Sequence, residues 1–270
     1  MTAELTSRRI EGVSITEAVP AQREPGRPPL VMVHGGCHAA WCWQGPQAWF
    51  ASRGWYAAAL DWYSHGDSEA LPQTEWCQRE IVPVREEIGI VCAAVAEETG
   101  RAPVVIGHSM GGLASLAHAT VNDQEIAALV LLAPVVPGGY AASAIELPVD
   151  SGQPWGPPPP DMARQLFYSG VDDAAAARYY ELLQPESPAA VWQATRWTAD
   201  LPLDRLNAPA LVYGAEKDLL VPPDAVQRLS SAIGADYVHL PDTGHGLTLD
   251  PIAEEVCERT EEWLSGVLGL

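Results

Sequence analysis

A serine flanked by glycines is the first feature of the sequence that could do chemistry. Ser109 lies in the pattern Gly107-x-Ser109-x-Gly111, directly after an apolar run and before a stretch of small residues. Glycines on both sides let the chain turn sharply from a strand into a helix, which leaves the serine hydroxyl exposed at the strand end. The N–H groups at the start of such a helix can stabilise a developing negative charge. The pattern therefore predicts a nucleophilic serine.

A serine hydroxyl is a weak nucleophile unless a base removes its proton. His245 lies in a loop between the last predicted strand and the last predicted helix, from which it can reach the same sheet edge. Asp218 follows the preceding predicted strand and is expected to hold the imidazole and favour its charged form. Glu216, two residues nearer that strand, is the alternative acid and ranks lower. The predicted chain order is Ser109, Asp218, His245. An order of nucleophile, acid and base is typical of serine hydrolases whose catalytic residues lie at the edge of an α/β sheet.

An oxyanion needs two N–H donors. One is expected from Met110, the residue after the nucleophile. The other is expected from the loop His34-Gly35-Gly36-Cys37, which follows the apolar run 30–33. By position we choose Gly36, with Cys37 as the alternative.

Short apolar runs alternate with helical patterns along most of the chain. The predicted strands are 30–33, 55–60, 103–106, 126–132, 210–213 and 237–240, with an edge strand over 10–18. The predicted helices between them are 47–53, 79–99, a stretch ending near Val121, 222–233 and 252–264. This alternation favours the α/β class, with a mostly parallel twisted sheet flanked by helices.

Residues 137–200 interrupt the alternation. A Pro/Gly tract at 154–160 and three helical pieces, at 161–169, 172–183 and 188–195, occur there without a strand signal. We interpret residues 137–200 as a helical lid inserted into a core made of residues 1–136 and 201–270.

Tryptophan is unusually common, with ten Trp against two Phe. The ordinary interpretation is packing between lid and core. The sharper hypothesis is an apolar pocket with aromatic walls and few polar groups. The predicted substrate-binding residues are Cys37, His38, Trp41, Trp155, Trp192 and Trp197.

The composition excludes several classes of function. Acids outnumber bases 35 to 15, giving a formal charge of −20, which repels phosphate backbones and anionic lipid headgroups. The longest apolar stretch, 126–145, is broken by proline and glycine, so we expect no membrane span. No metal, nucleotide or dinucleotide motif occurs, so we expect no cofactor and no metal.

The sequence also indicates a cellular location and a kind of partner. The first twelve residues lack the apolar region of a signal peptide, and the five cysteines are scattered, which favours a reducing cytoplasm. We expect a cytoplasmic protein, alone or as a homodimer, whose partner is a small molecule with an ester-type bond.

Together, these residues resemble the α/β-hydrolase-fold serine hydrolases. The loop His34-Gly35-Gly36-Cys37-His38-Ala39-Ala40-Trp41-Cys42-Trp43 is similar to that of the plant methylesterase and hydroxynitrile lyase group and its bacterial esterase relatives. The resemblance implies oxyanion donors at Gly36 and Met110. The lyases of this group carry Thr at the position of Gly35 and Lys at the position of Gly246. Because this chain has glycine at both positions, the resemblance favours hydrolysis over cyanohydrin cleavage. The turn from Asp61 to Ser68 is similar to a structural turn of the family, with Ser64 in place of the usual glycine.

The sequence thus predicts a cofactor-independent serine hydrolase acting on a carboxylic ester, lactone or thioester of a small to medium apolar compound. A lyase or acyltransferase on the same scaffold is one alternative. A non-catalytic ligand-binding protein that kept the fold is the other, because this scaffold hosts many functions.

Overall fold

A single sheet organises the chain in the computed structural model, which describes residues 5–24, 26–141 and 143–270, without the side chain of residue 123. The strands found there are β1 (Leu5–Ile10), β2 (Val13–Ala18), β3 (Leu30–Val33), β4 (Ala57–Leu60), β5 (Val104–His108), β6 (Ala128–Leu132), β7 (Ala210–Ala215) and β8 (Asp236–Leu240). Their order across the sheet is β1-β2-β4-β3-β5-β6-β7-β8. Strands β3 to β8 pair in parallel, and β2 pairs antiparallel with both β1 and β4.

Helices cover both faces of this sheet. They are α1 (Gln44–Ser52), α2 (Gln73–Trp76), α3 (Arg85–Thr99), α4 (Met110–Ala119), α5 (Pro160–Phe167), α6 (Asp173–Leu182), α7 (Pro188–Arg196), α8 (Pro223–Ala232) and α9 (Ala253–Leu268). The predicted α/β class with a mostly parallel sheet is therefore confirmed. Within the described ranges, no helix combines the length and apolarity that crossing a bilayer requires.

The sequence prediction was inaccurate at the first edge of the sheet. The strand predicted over 10–18 is a hairpin, in which Glu11 and Gly12 have φ angles of 49° and 85° and reverse the chain. Strand β1 is largely exposed and carries polar residues, so it lacks the apolar alternation that marks a half-buried strand. Helix α3, predicted from residue 79, begins at Arg85 because a short 3-10 turn over Val82–Val84 precedes it.

Two apolar layers cover the sheet in the described part of the chain, one on each side. Successive side chains of a strand point to opposite faces. In β3, accordingly, Val31 and Val33 join one layer with residues of α3, α4 and α8. Leu30 and Met32 join the other, with residues of α1 and α9. Because both faces are covered, the central strands β3 to β7 are mostly continuous runs of apolar residues.

The parallel strands also decide where the chemistry can lie. In an open parallel sheet, the loops at the carboxyl ends of the strands meet at one edge, where ligands bind. The loops after β3, β5, β7 and β8 carry Gly36, Ser109, Asp218 and His245 respectively.

Helices α5, α6 and α7 lie between β6 and β7, in what we call the β6–β7 segment (residues 133–209). No strand is described between β6 and β7, although Trp155 and Glu186 form an isolated antiparallel bridge. Side chains of α5 and α6 pack on Cys37 in the loop after β3. The β6–β7 segment therefore lies against the loop that was expected to hold the oxyanion.

Candidate active site

Ser109 occupies a strained turn between β5 and α4. Its φ of 54° and ψ of −120° lie in a region that L-residues rarely adopt. The turn leaves no space for larger neighbours: a Cβ on Gly107 would lie 2.4 Å from Ser115 Oγ, and one on Gly111 would lie 2.2 Å from the His34 carbonyl oxygen. The two glycines thus allow the close packing that holds Ser109 at the start of α4.

His245 is held by Asp218. The His245 Nδ1 lies 2.6 Å from Asp218 Oδ2, and both side chains are at most 2% exposed. The second oxygen, Oδ1, accepts the backbone N–H groups of Leu220 and Val221 at 2.8 and 2.9 Å. These donors fix the carboxylate. Because the acceptor fixes the proton on Nδ1, the neutral ring keeps Nε2 free to act as a base.

Glu216, the alternative acid, does not take part in this contact. Its side chain is exposed and accepts the backbone N–H of Asp242 at 2.8 Å. A step of two positions along the chain, from Glu216 to Asp218, is enough to turn one carboxylate outward and the other toward His245.

His108 ties the nucleophile turn to the loop of His245. Its Nε2 lies 2.9 Å from the His245 carbonyl oxygen, and the two rings are 4.7 Å apart. Burial lowers the pKa of His108 well below its ordinary value, and the neighbouring His245 acts in the same direction. His108 is therefore neutral and donates from Nε2, and because it precedes Ser109 directly, it brings the loops of Ser109 and His245 together.

The two residues expected to donate to the oxyanion, Gly36 and Met110, contact each other. A Cβ built on Gly36 would lie 2.6 Å from Met110 Sδ, so the loop after β3 packs directly on the first residue of α4. The first N–H groups of a helix have no intrahelical acceptor and can serve a ligand. The backbone N–H of Cys37, the alternative donor, is already bonded to Glu186 Oε2 at 3.2 Å.

A mostly apolar cavity opens beside Ser109. Three of the predicted substrate-binding residues line it, namely Cys37, Trp155 and Trp197. The other lining residues are Gly36, Ser109, Met110, Val135, Ile145, Leu147, Leu166, Phe167, Val191, Ala194, Thr195, Leu220 and Val221. Most of this wall comes from the β6–β7 segment. The sequence predicted helices there but did not indicate which of their residues line a cavity.

Three predicted substrate-binding residues do not line this cavity. Trp192 is 51% exposed, with the Arg196 guanidinium 4.5 Å from its ring. Trp41 lines a separate groove between α1 and α6. His38 is buried between Trp41 and Phe167, with Nδ1 2.8 Å from the Gly36 carbonyl oxygen, and burial lowers its pKa to about 4. His38 supports the wall from behind, and the two tryptophans lie elsewhere.

Two buried carboxyl groups lie near the site at positions that the sequence does not mark as functional. Glu186 is 2% exposed and contacts the loop after β3. Asp250 is 5% exposed and lies close to His245, and burial raises its pKa to about 6. Glu186 stands before a Ser-Pro helix start, and Asp250 before another proline, so both sequences are typical of ordinary helix entries.

Comparison with known proteins places the chain in a family. A sequence model described as the alpha/beta hydrolase family matches residues 30–257, from β3 into α9. The match therefore includes Ser109, Asp218 and His245.

Curated relatives match shorter stretches. Methylesterase 7 of Arabidopsis thaliana is 27% identical over 109 residues, which make up 40% of this chain and 40% of that protein. Esterase PIR7B of Oryza sativa subsp. japonica is 34% identical over 108 residues, which make up 40% of this chain and 39% of that protein. The chain thus matches about two fifths of the length of these relatives.

Solved structures match nearly the whole chain. A monoacylglycerol lipase of Paleococcus ferrophilus is 20% identical with a TM-score of 0.71, covering 98% of this chain and 99% of that one. A thermophilic esterase from Thermogutta terrifontis is 17% identical with a TM-score of 0.72 and the same coverage. At these identities the likeness shows the fold alone.

Proposed function

The chain belongs to the alpha/beta hydrolase family, and we propose that it is a serine hydrolase that cleaves a carboxylic ester, lactone or thioester through an acyl-enzyme on Ser109. The observation that carries this proposal is the 2.6 Å contact between Asp218 and His245, at the sheet edge where Ser109 directly follows β5. Two of the curated relatives are named as a methylesterase and an esterase, which agrees with it.

Acylation is the first half of the proposed reaction. His245 Nε2 takes the proton of Ser109 Oγ as the oxygen attacks the carbonyl carbon, and the carbonyl electron pair moves onto its oxygen. The N–H groups of Gly36 and Met110 stabilise that oxyanion. When the tetrahedral intermediate collapses, the bond to the leaving oxygen or sulfur breaks and His245 returns the proton to it. Asp218 stabilises the imidazolium between these two transfers.

Deacylation repeats the same steps with water. His245 removes a proton from a water molecule, whose oxygen attacks the acyl carbon on Ser109. The oxyanion occupies the same donors, and collapse then releases the carboxylic acid and restores the serine hydroxyl with the proton from His245. No step requires a cofactor.

The apolar cavity supports a small to medium apolar group in the substrate. Cys37, Trp155 and Trp197 line it next to Ser109, and polar groups are few. Pockets of this kind bind through apolar contact and use a few polar groups for orientation. We propose that residues 137–200 form the lid that encloses this group over a core of residues 1–136 and 201–270.

Turnover by active-site variants tests the proposal. We expect Ser109→Ala and His245→Ala each to abolish hydrolysis of a panel of 4-nitrophenyl esters, lactones and thioesters that the wild type cleaves. Circular dichroism and thermal melting check that both variants fold. Activity within tenfold of wild type in either variant contradicts the assignment, and a wild type that binds panel members without turnover favours a ligand-binding role.

A further inference from the structure

Glu186 is a buried carboxylate that the proposed chemistry does not use. It lies in the β6–β7 segment, between α6 and α7, and is 2% exposed. It is absent from the wall of the catalytic cavity and borders a smaller neighbouring one. A buried charge is costly unless hydrogen bonds satisfy it, so its partners indicate what it does.

One of those partners lies on the loop that carries Gly36. Glu186 Oε2 accepts the backbone N–H of Cys37 at 3.2 Å and lies 3.1 Å from His65 Nε2. Oε1 accepts the backbone N–H of Ser187 at 2.7 Å. Two residues earlier, the backbone N–H of Gln184 donates to the Cys37 carbonyl oxygen at 2.9 Å. Both backbone groups of Cys37 are thus bonded to the β6–β7 segment.

Cys37 needs such support because its backbone is strained. Its φ is 63°, in the left-handed region that favours glycine. The peptide unit that joins Gly36 to Cys37 is bonded at both ends: His38 Nδ1 lies 2.8 Å from its oxygen, and Glu186 accepts from its N–H. A planar peptide unit that is fixed at both ends restricts the direction of the preceding Gly36 N–H.

We infer that Glu186 is a positioning residue of the oxyanion hole, through which the β6–β7 segment holds the loop after β3 so that the Gly36 N–H faces the reacting carbonyl oxygen. The inference rests on the proposed function for the role of that N–H. An oxyanion donor acts only when it lies 2.7–3.1 Å from the developing charge, so a small displacement of the loop weakens transition-state binding more than substrate binding.

The test compares three variants in 4-nitrophenyl acetate hydrolysis. Glu186→Ala is expected to lower kcat roughly 10- to 100-fold and to leave KM within about threefold. The reason is that the variant displaces the Gly36 N–H and leaves the substrate cavity intact. Glu186→Gln keeps one side-chain oxygen that can accept the Cys37 N–H and loses the acceptor for the Ser187 N–H. It is expected to stay within about fivefold of wild type.

Ser187→Ala is the matched control. It removes the side-chain bonds of the neighbouring residue to the Arg79 carbonyl oxygen and the Ala190 N–H, and no bond to Cys37. It is expected to lower the melting temperature and to leave kcat within about twofold of wild type. An equal loss of kcat in Glu186→Gln and Glu186→Ala, a loss in KM alone, or an equal loss in Ser187→Ala overturns the inference.

A crystal structure, which does not depend on turnover, tests the role of Glu186 separately from the proposed hydrolase function. In a crystal structure of Glu186→Ala we expect Cys37 to leave the left-handed region and the Gly36 peptide to rotate. An unchanged loop overturns the inference. An inactive wild type overturns the proposed function instead, and the crystal structure still decides whether Glu186 positions the loop.

Discussion

In the proposed mechanism, Asp218 decides which nitrogen of His245 acts as the base. Its Oδ2 accepts from Nδ1, and two backbone N–H groups fix its Oδ1. In Asp218→Asn, the amide group can face Nδ1 as a donor and favour the wrong tautomer, while its oxygen still accepts from Leu220 and Val221. We expect kcat for 4-nitrophenyl acetate to fall roughly 10³- to 10⁴-fold with the fold intact, as in other serine triads.

Glu216→Gln is the matched control for Asp218→Asn. Glu216 lies two positions away and is exposed. Within the described residues, its side chain makes one hydrogen bond, which it accepts from the backbone N–H of Asp242. Its replacement is expected to leave kcat within about twofold of wild type. Equal losses in the two variants contradict the role assigned to Asp218.

Asp250 makes stability depend on pH. Burial raises its folded pKa to about 6, against about 4 in the unfolded chain. Between these values the folded state binds more protons, so the free energy of unfolding falls as pH rises through that window. Above it the fold carries a buried charge whose Oδ1 has no hydrogen-bond partner in the described ranges.

Asp250→Asn removes this charge and keeps an oxygen that can accept the Gly170 N–H, which Asp250 Oδ2 accepts at 3.0 Å. We expect the free energy of unfolding of the variant relative to wild type to rise by roughly 1–2 kcal/mol between pH 4 and pH 7.5. Urea unfolding at both pH values measures it. A difference that stays constant with pH shows that Asp250 does not titrate in this way.

The turn at Ser109 depends on how closely β3, β5 and α4 approach one another. A Cβ on Gly111 would lie 2.2 Å from the carbonyl oxygen of His34, which belongs to the loop after β3. Gly111→Ala is therefore expected to lower the free energy of unfolding by about 3 kcal/mol. Gly266→Ala, in α9, meets open space and is expected to raise it by about 0.5–1 kcal/mol. Similar changes in denaturant midpoint for both variants contradict the packing described.

The β6–β7 segment offers a matched pair of tryptophans. Trp155 lines the cavity, whereas Trp192 is 51% exposed on α7. With 4-nitrophenyl butyrate and longer esters, Trp155→Leu is expected to shift KM about tenfold, because it reshapes an apolar wall. Trp192→Leu is expected to leave KM unchanged. If KM moves in neither variant, Trp155 is not part of the substrate pocket.

The strands, and the positions of the loops that carry Ser109 and His245, could be predicted because each has a local signal. Buried parallel strands read as apolar runs, and Ser109 and His245 stand in turns that directly follow such runs. The cavity wall has no such signal. Its residues, such as Leu147 and Val191, are ordinary apolar side chains, and the pattern of Trp155 and Trp192 does not say which one faces inward. Glu186 resembles a helix-entry acid, and only the tertiary fold brings it to Cys37.

At the scale of the whole molecule, the parallel sheet brings residues that are far apart in the sequence to the same edge. The loops after β5, β7 and β8 carry Ser109, Asp218 and His245 respectively. These strands lie close together in the sheet, in the order β5-β6-β7-β8. The β6–β7 segment adds the wall of the cavity from above the same edge. The central claim is therefore that one chain assembles an activated serine from three separate loops.

Labelling with a fluorophosphonate tests that claim most directly. The probe reacts with a serine whose proton a neighbouring base removes, so we expect a single adduct in the intact mass of the folded wild type. Peptide mapping is expected to place it on Ser109, and Ser109→Ala is expected to remain unlabelled. A folded wild type that takes up no label, or that carries it on another residue, contradicts the account.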